Sequence, residues 1–145
     1  MGGTFNPIHL GHLILARDAL EAFGLDRVIF IPCANPPHKR ADRLAPGADR
    51  LAMIRQAIRG EPGFSTDDIE LSRGGVSYSV DTLHLLHGRF PNASFYFVIG
   101  TDMYQELPTW RKIGELIKLC TFVVMYRPGF DMVQKPRRGP KIPAQ

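Results

Sequence analysis

The run GGTFNPIHLGH, from Gly2 to His12, constrains this chain more than any other stretch of it. Two glycines, a small hydroxyl residue and an aromatic lead into a proline turn. His9-Leu10-Gly11-His12 then opens an apolar, helix-periodic segment. Glycines ahead of a helix start let backbone N–H groups close around an anion, and the helix N-terminus adds partial positive charge. His9 and His12 are three residues apart, so in a first helical turn their side chains project from the same side. Paired imidazoles over such a loop suit phosphate chemistry, because each can donate to a phosphoryl oxygen as charge builds. Taken alone, a Gly-Gly pair also reads as an ordinary turn, and an i, i+3 histidine pair as surface decoration or a satisfied polar group.

Hydrophobic periodicity along the rest of the chain alternates between helix and strand. Leu10 to Phe23 predicts an amphipathic helix with Leu13, Ala16, Leu20 and Phe23 inward, stopped by Gly24. Val28 to Ile31 predicts a buried strand, and Cys33 to Gly47, with three prolines, a loop. Ala48 to Arg59 predicts a second helix with Leu51, Ile54, Ala57 and Ile58 inward. A weak strand at Phe64 to Leu71, a helix at Tyr78 to Phe90 and a strong strand at Ser94 to Ile99 follow. A helix at Trp110 to Leu119 and a strong strand at Thr121 to Tyr126 complete the pattern. Such alternation implies an α/β fold with a Rossmann-like parallel sheet and helices on both faces. Ligands of these sheets sit beyond the carboxyl ends of the strands. The segments Gly2 to His9, Pro32 to Lys39 and Gly100 to Trp110 are therefore expected to converge on one rim.

At 145 residues the chain is long enough for one domain with a real core. Its net charge of +4 suggests nucleic acid at first sight. Lys135, Arg137, Arg138 and Lys141 account for that whole excess, in a tail with no acidic residue after Asp131. The body is balanced, so no nucleic-acid partner is expected, and residues 131–145 read as a disordered, basic, proline-rich tail after a domain spanning 1–130. No apolar run approaches the ~20 residues that span a bilayer. The N-terminus also lacks a basic segment followed by an apolar one, so a cytoplasmic protein with no membrane partner is expected. Cys33 and Cys120 are too few for a disulfide framework or metal site. Cys120 is expected to pack as a small hydrophobe and Cys33 to be partly exposed.

The opening run resembles the signature of the HxGH nucleotidyltransferases, close to GGTFDPxHxGH, with Asn6 where Asp is common. IPCANPPHKR (Ile31 to Arg40), VSYSVDTL (Val76 to Leu83) and FVIGTDMYQELPTWRKIGEL (Phe97 to Leu116) are similar to segments of bacterial nicotinate-nucleotide adenylyltransferases, in that family's order. TFVVMYRPG also fits. The resemblance implies the HxGH nucleotidyltransferase fold and the joining of nicotinic acid mononucleotide to ATP, giving deamido-NAD and pyrophosphate. Mg²⁺ would arrive with ATP and leave with pyrophosphate, and no protein-built metal site is implied.

The resemblance also assigns roles position by position. Gly3, Thr4 and Phe5 would shape the loop under the ATP phosphates. His9 and His12 would contact the triphosphate, His12 nearest the α-phosphate. Lys39 would offset charge on the attacking phosphate or the leaving pyrophosphate. Gly100 and Asp102 would approach the adenosine, while Tyr78, Ser79 and Trp110 would hold the nicotinate mononucleotide, Trp110 by stacking. Each residue also has a plainer reading: a solvated loop lysine for Lys39, a strand-end turn for Gly100, a helix cap for Asp102, a core tryptophan for Trp110. His38, His84 and His87 read as incidental.

Two departures from the family pattern stand out. The family places a whole strand before the glycine loop, where this chain has only Met1, and later carries an ISxTxIR segment that has no counterpart after Arg127-Pro128-Gly129. The first strand and C-terminal part are thus expected to be missing, each loss lowering the rate by ~10²–10³, the scale of one preorganised donor. Two alternatives stand beside the enzyme reading: a non-catalytic nucleotide-binding relic, and an adenylyltransferase acting on nicotinamide mononucleotide.

Overall fold

A computed structural model describes residues 1–37 and 41–126, apart from the side chain of Ala41. These residues form two compact units, the first Met1–Tyr78 and the second beginning at Ser79. The basic tail expected from residue 131 lies outside the described residues.

The first unit is built on the apolar strand β2 (Val28–Pro32), whose residues are buried except for Ile29. On one edge it pairs in parallel with β1 (Gly2–Gly3), Gly2 opposite Ile31 and Gly3 opposite Pro32. Met1–Gly3 satisfy this edge: Ile31 N–H donates to the Met1 carbonyl at 3.0 Å and Cys33 N–H to that of Gly3 at 2.9 Å. On the other edge β2 pairs in parallel with β3 (Phe64–Thr66). Helix α1 (Leu10–Ala22) joins β1 to β2, and α2 (Gly47–Ala57) lies between β2 and β3 in the chain. Phe5, Ala16, Val28, Phe30, Ile54 and Ile58 form one buried cluster. Burying such side chains contributes about 1.5–3 kcal/mol each for the larger ones.

The second unit pairs β4 (Tyr96–Gly100) in parallel with β5 (Thr121–Met125), in register from Tyr96 opposite Thr121 to Gly100 opposite Met125. Helices α4 (Ser79–Arg89) and α6 (Ile113–Leu119) are tied by His84 Nε2 to Glu115 Oε1 at 2.6 Å and His87 Nε2 to the Leu119 carbonyl at 2.7 Å. The chain is thus α/β with parallel sheets flanked by helices, as its periodicity predicts. Among the described residues no helix is long and apolar enough to cross a membrane.

Four local expectations give way. The strand expected over Phe64 to Leu71 ends at Thr66, because Asp67 Oδ1 accepts the Ile69 N–H at 2.8 Å and turns the chain into helix α3 (Ile69–Arg73). The helix expected from Trp110 begins only at Ile113, after Lys112 takes a left-handed φ of 53°. Ahead of it, the segment from Gly100 to Trp110 holds helix α5 (Thr101–Glu106) and a 3₁₀ turn over Leu107–Thr109. Phe23, expected inward, is 49% exposed, since it lies beyond the last turn of α1 where Gly24 reverses the chain at φ 57°. Cys33, expected to be partly exposed, is buried beside the β1–β2 ladder.

Candidate functional site

Phe5 organises the glycine loop. Its backbone sits in the left-handed region at φ 46°, which turns the ring down into the core, where only 2% of the residue is exposed. There it meets Phe30 edge-to-face, with centroids 5.8 Å apart, and carries the ring of His12 above it, 5.0 Å away at 69°. Gly3 leaves room for this: a Cβ on it would come within 3.3 Å of the Phe5 ring. The aromatic between the glycines and the proline therefore forms the floor of the loop.

His9 caps α1 with extended backbone, φ −144° and ψ 171°. Its N–H donates to Nδ1 of His12 at 3.2 Å, and its carbonyl accepts the His12 N–H at 3.0 Å. The two rings stack, 3.7 Å between centroids and 29° between planes. Because His12 Nδ1 accepts a hydrogen bond, a neutral ring must carry its proton on Nε2, so that nitrogen is a donor. His9 is exposed and His12 half-buried, so the pair forms a rim rather than a core contact.

Thr4, Asn6, Pro7, His9, His12, Arg43 and Leu44 wall a cavity of about 480 Å³. Among the described residues its wall holds two imidazoles, an arginine, a hydroxyl and an amide, and no carboxylate. Such a set favours an anion and does not suit a hard divalent cation such as Mg²⁺ held by protein groups alone, which calls for carboxylate and other oxygen donors. Among the described residues no cluster of three or more His, Cys, Asp or Glu side chains could hold a metal.

Two residues that the sequence reading did not assign hold this wall together. Asn6 donates through Nδ2 to the Arg43 carbonyl at 3.0 Å and accepts the Ala45 N–H at Oδ1, also at 3.0 Å. Arg50, on α2, is 2% exposed and donates to three carbonyls: Ala45 at 2.9 Å, Thr4 at 2.7 Å and Cys33 at 2.8 Å. Nothing in the sequence flags Arg50, since an arginine next to the apolar stripe of a helix ordinarily reads as solvated.

The other expected residues fall as follows. Gly3, Thr4, Phe5, His9 and His12 come together at the start of α1. The loop after β2 is brought to the segment before Tyr78, where Ala34 N–H donates to Ser77 Oγ at 2.9 Å and Ser77 N–H to the Asn35 carbonyl at 2.9 Å. Tyr78, half-buried, ends the first unit and Ser79 opens α4. Gly100, Asp102 and Trp110 belong to the second unit. The Asp102 carboxylate folds back over Gly100, with Oδ1 2.7 Å from where a Cβ would stand. Half-buried Trp110 meets Phe97 and Phe122 edge-to-face at 5.7 Å and 6.4 Å. Lys39 and His38 lie outside the described residues. No activated nucleophile emerges from the cysteines: burial pushes the Cys120 thiol up to about 12, and its Sγ lies 3.6 Å from the Leu116 carbonyl.

Known proteins are similar to this chain in sequence and in fold. A protein of Geobacillus kaustophilus named "Probable nicotinate-nucleotide adenylyltransferase" is 47% identical over 131 residues, covering 90% of this chain and 61% of that protein. One of the same name from Corynebacterium kroppenstedtii is 43% identical over 140 residues, covering 97% of this chain and 66% of its own. The chain thus spans less than two thirds of the length of these curated relatives. In three dimensions it is similar to Plasmodium falciparum nicotinic acid mononucleotide adenylyltransferase complexed with NaAD, with a TM-score of 0.78 at 20% identity, covering 90% of this chain and 64% of that one. A family model described as cytidylyltransferase-like matches residues 1–141. A glycine loop floored by an aromatic, a histidine pair at a helix start and a match over nearly the whole sequence lead to one statement: this chain belongs to the cytidylyltransferase-like family.

Proposed function

We propose that this chain transfers the adenylyl group of ATP to nicotinic acid mononucleotide, forming deamido-NAD and releasing pyrophosphate, a step of NAD biosynthesis. The observation that carries the reading is the stacked His9–His12 pair on a cavity at the start of α1 whose described wall holds cationic and neutral polar groups. The names of the relatives supply the substrates. A phosphate oxygen of the mononucleotide attacks the α-phosphorus in line, one new P–O bond forms, and the bond from the α-phosphorus to the bridging oxygen breaks, so its electron pair leaves on pyrophosphate. No covalent enzyme intermediate is needed, so the protein acts by positioning and by stabilising charge.

In this reading Gly3, Thr4 and Phe5 shape the loop under the phosphates. His9 and His12 contact the triphosphate, with His12 Nε2–H donating to the α-phosphate as charge grows there. Lys39 offsets charge on the attacking or leaving phosphate. Gly100 and Asp102 take the adenosine; Tyr78, Ser79 and Trp110 take the nicotinate moiety. Mg²⁺ enters as part of the substrate, MgATP, and lowers the charge on the triphosphate. The partners are these two small molecules, with no nucleic acid or membrane, and the setting is the cytoplasm.

Backbone N–H groups near Ser79 would suit a carboxylate better than a carboxamide, whose own N–H groups would face donors. The test is pyrophosphate release from ATP by this chain, with nicotinic acid mononucleotide and its amide in competition. Release that requires the mononucleotide and prefers the acid supports the reading. Release from ATP alone, or equal specificity constants for the acid and the amide, would contradict it.

A further inference from the structure

We propose that Arg50 is a positioning residue for the phosphate site, acting through the Thr4–Phe5 peptide; the inference rests on the function proposed above. Buried arginines usually face carboxylates, whereas this guanidinium spends its donors on the carbonyls of Thr4, Cys33 and Ala45. Those carbonyls belong to three separate segments: the glycine loop, the end of β2 and the lead-in to α2. Each charge-assisted bond is stronger than a neutral one, and the rigid fork of the guanidinium fixes their relative geometry. A lysine could not hold all three with the same directions.

The bond to Thr4 has a specific consequence. Across a trans peptide the N–H lies antiparallel to the C=O. Drawing the Thr4 carbonyl at 2.7 Å towards Arg50 therefore turns the N–H of Phe5 the opposite way, away from the buried guanidinium. Thr4 and Asn6, on either side of Phe5, both wall the anion cavity. Arg50 thus sets the one peptide of the loop whose left-handed residue, Phe5, also seats the ring beneath His12. Being 2% exposed, its charge is also poorly screened by solvent, so it adds positive potential beneath the loop without touching the ligand. Arg50 is therefore a donor-orienting and field-supplying group behind the phosphates, rather than a group that meets them.

Binding measurements on the whole chain test this, with ATP as the phosphate-bearing probe and adenosine as the phosphate-free one. Arg50→Met, which keeps the bulk and removes the charge and the fork, is expected to weaken ATP roughly tenfold to a hundredfold, as misplaced positioning groups do. Adenosine affinity should stay within about twofold, since a phosphate-directed effect does not reach it. Arg50→Lys, which keeps the charge and loses the fork, should fall between the two. Thermal melts establish folding, and the lysine variant carries the comparison if the methionine variant does not fold. Equal weakening of ATP and adenosine, or ATP affinity unchanged in a folded variant, would overturn the proposal. A wild-type chain that binds no ATP would refute the proposed function itself, a result seen before any variant is made.

Discussion

The rings of His9 and His12 stack 3.7 Å apart while the N–H of His9 donates to His12 Nδ1, so the two histidines behave as one unit. With Nδ1 accepting that bond, the neutral His12 ring carries its proton on Nε2, a donor suited to a phosphoryl oxygen at the cavity wall. The unit is thus arranged to favour an anionic ligand. The Phe5 ring beneath His12 fixes its height above the core.

Asn6 ties the loop to the cavity's far wall by one donated and one accepted bond. Asn6→Ala is expected to destabilise the first unit by about 1 kcal/mol, since exposed bonds lie towards the low end of their range. Asn6→Asp keeps the acceptor for Ala45 N–H and loses the donor to Arg43, so its loss should be roughly half as large. Chemical denaturation of the three proteins checks the order; an aspartate variant less stable than the alanine one would contradict it.

Trp110 is the only tryptophan in the chain, so fluorescence excited at the red edge of the absorption band, where the four tyrosines do not absorb, reports on it alone. Nicotinic acid mononucleotide is expected to quench that emission, with ATP alone having little effect. Trp110→Phe, which preserves an aromatic edge against Phe97 and Phe122, should weaken mononucleotide binding by about two- to tenfold. Unaltered emission at saturating mononucleotide would place Trp110 in a packing role only.

Glu115 links α6 to α4. Its hydrogen bond from His84, with Lys112 Nζ 3.4 Å from Oε2, holds its carboxyl below the usual carboxylate range. A depressed folded-state value contributes stability above the unfolded value and loses it as pH falls through the folded one. Glu115→Gln should therefore lower the melting temperature slightly near neutral pH, with the difference shrinking below about pH 4. The effect is small because the carboxylate is exposed. A difference that grows on acidification would reverse the sign of this account.

How much of this was legible depends on the range of the forces involved. Strands β2, β4 and β5 and helices α1, α2 and α4 are long or apolar enough for periodicity alone to locate them. Helices α3 and α5 span only five and six residues, and the Asp67 side chain that starts the turn into α3 also suits a loop. That Gly3, Thr4, His9 and His12 gather at one helix start could be read because a loop and the helix that follows it are local. Arg50 could not, because its burial depends on carbonyls of Thr4 and Cys33, 46 and 17 residues away in sequence. The part played by Asn6 was hidden for the same reason, its partners lying 37 and 39 residues further on.

The central claim is that the histidine pair stabilises charge at the α-phosphate, and replacing His12 tests it most directly. The measurement is the rate of mononucleotide-dependent pyrophosphate release by His12→Ala against the wild-type chain, with melts showing that both are folded. The account predicts a loss of about 10²–10³ in rate, the cost of removing one preorganised donor. A folded His12→Ala variant that retained more than about a tenth of wild-type turnover would contradict it.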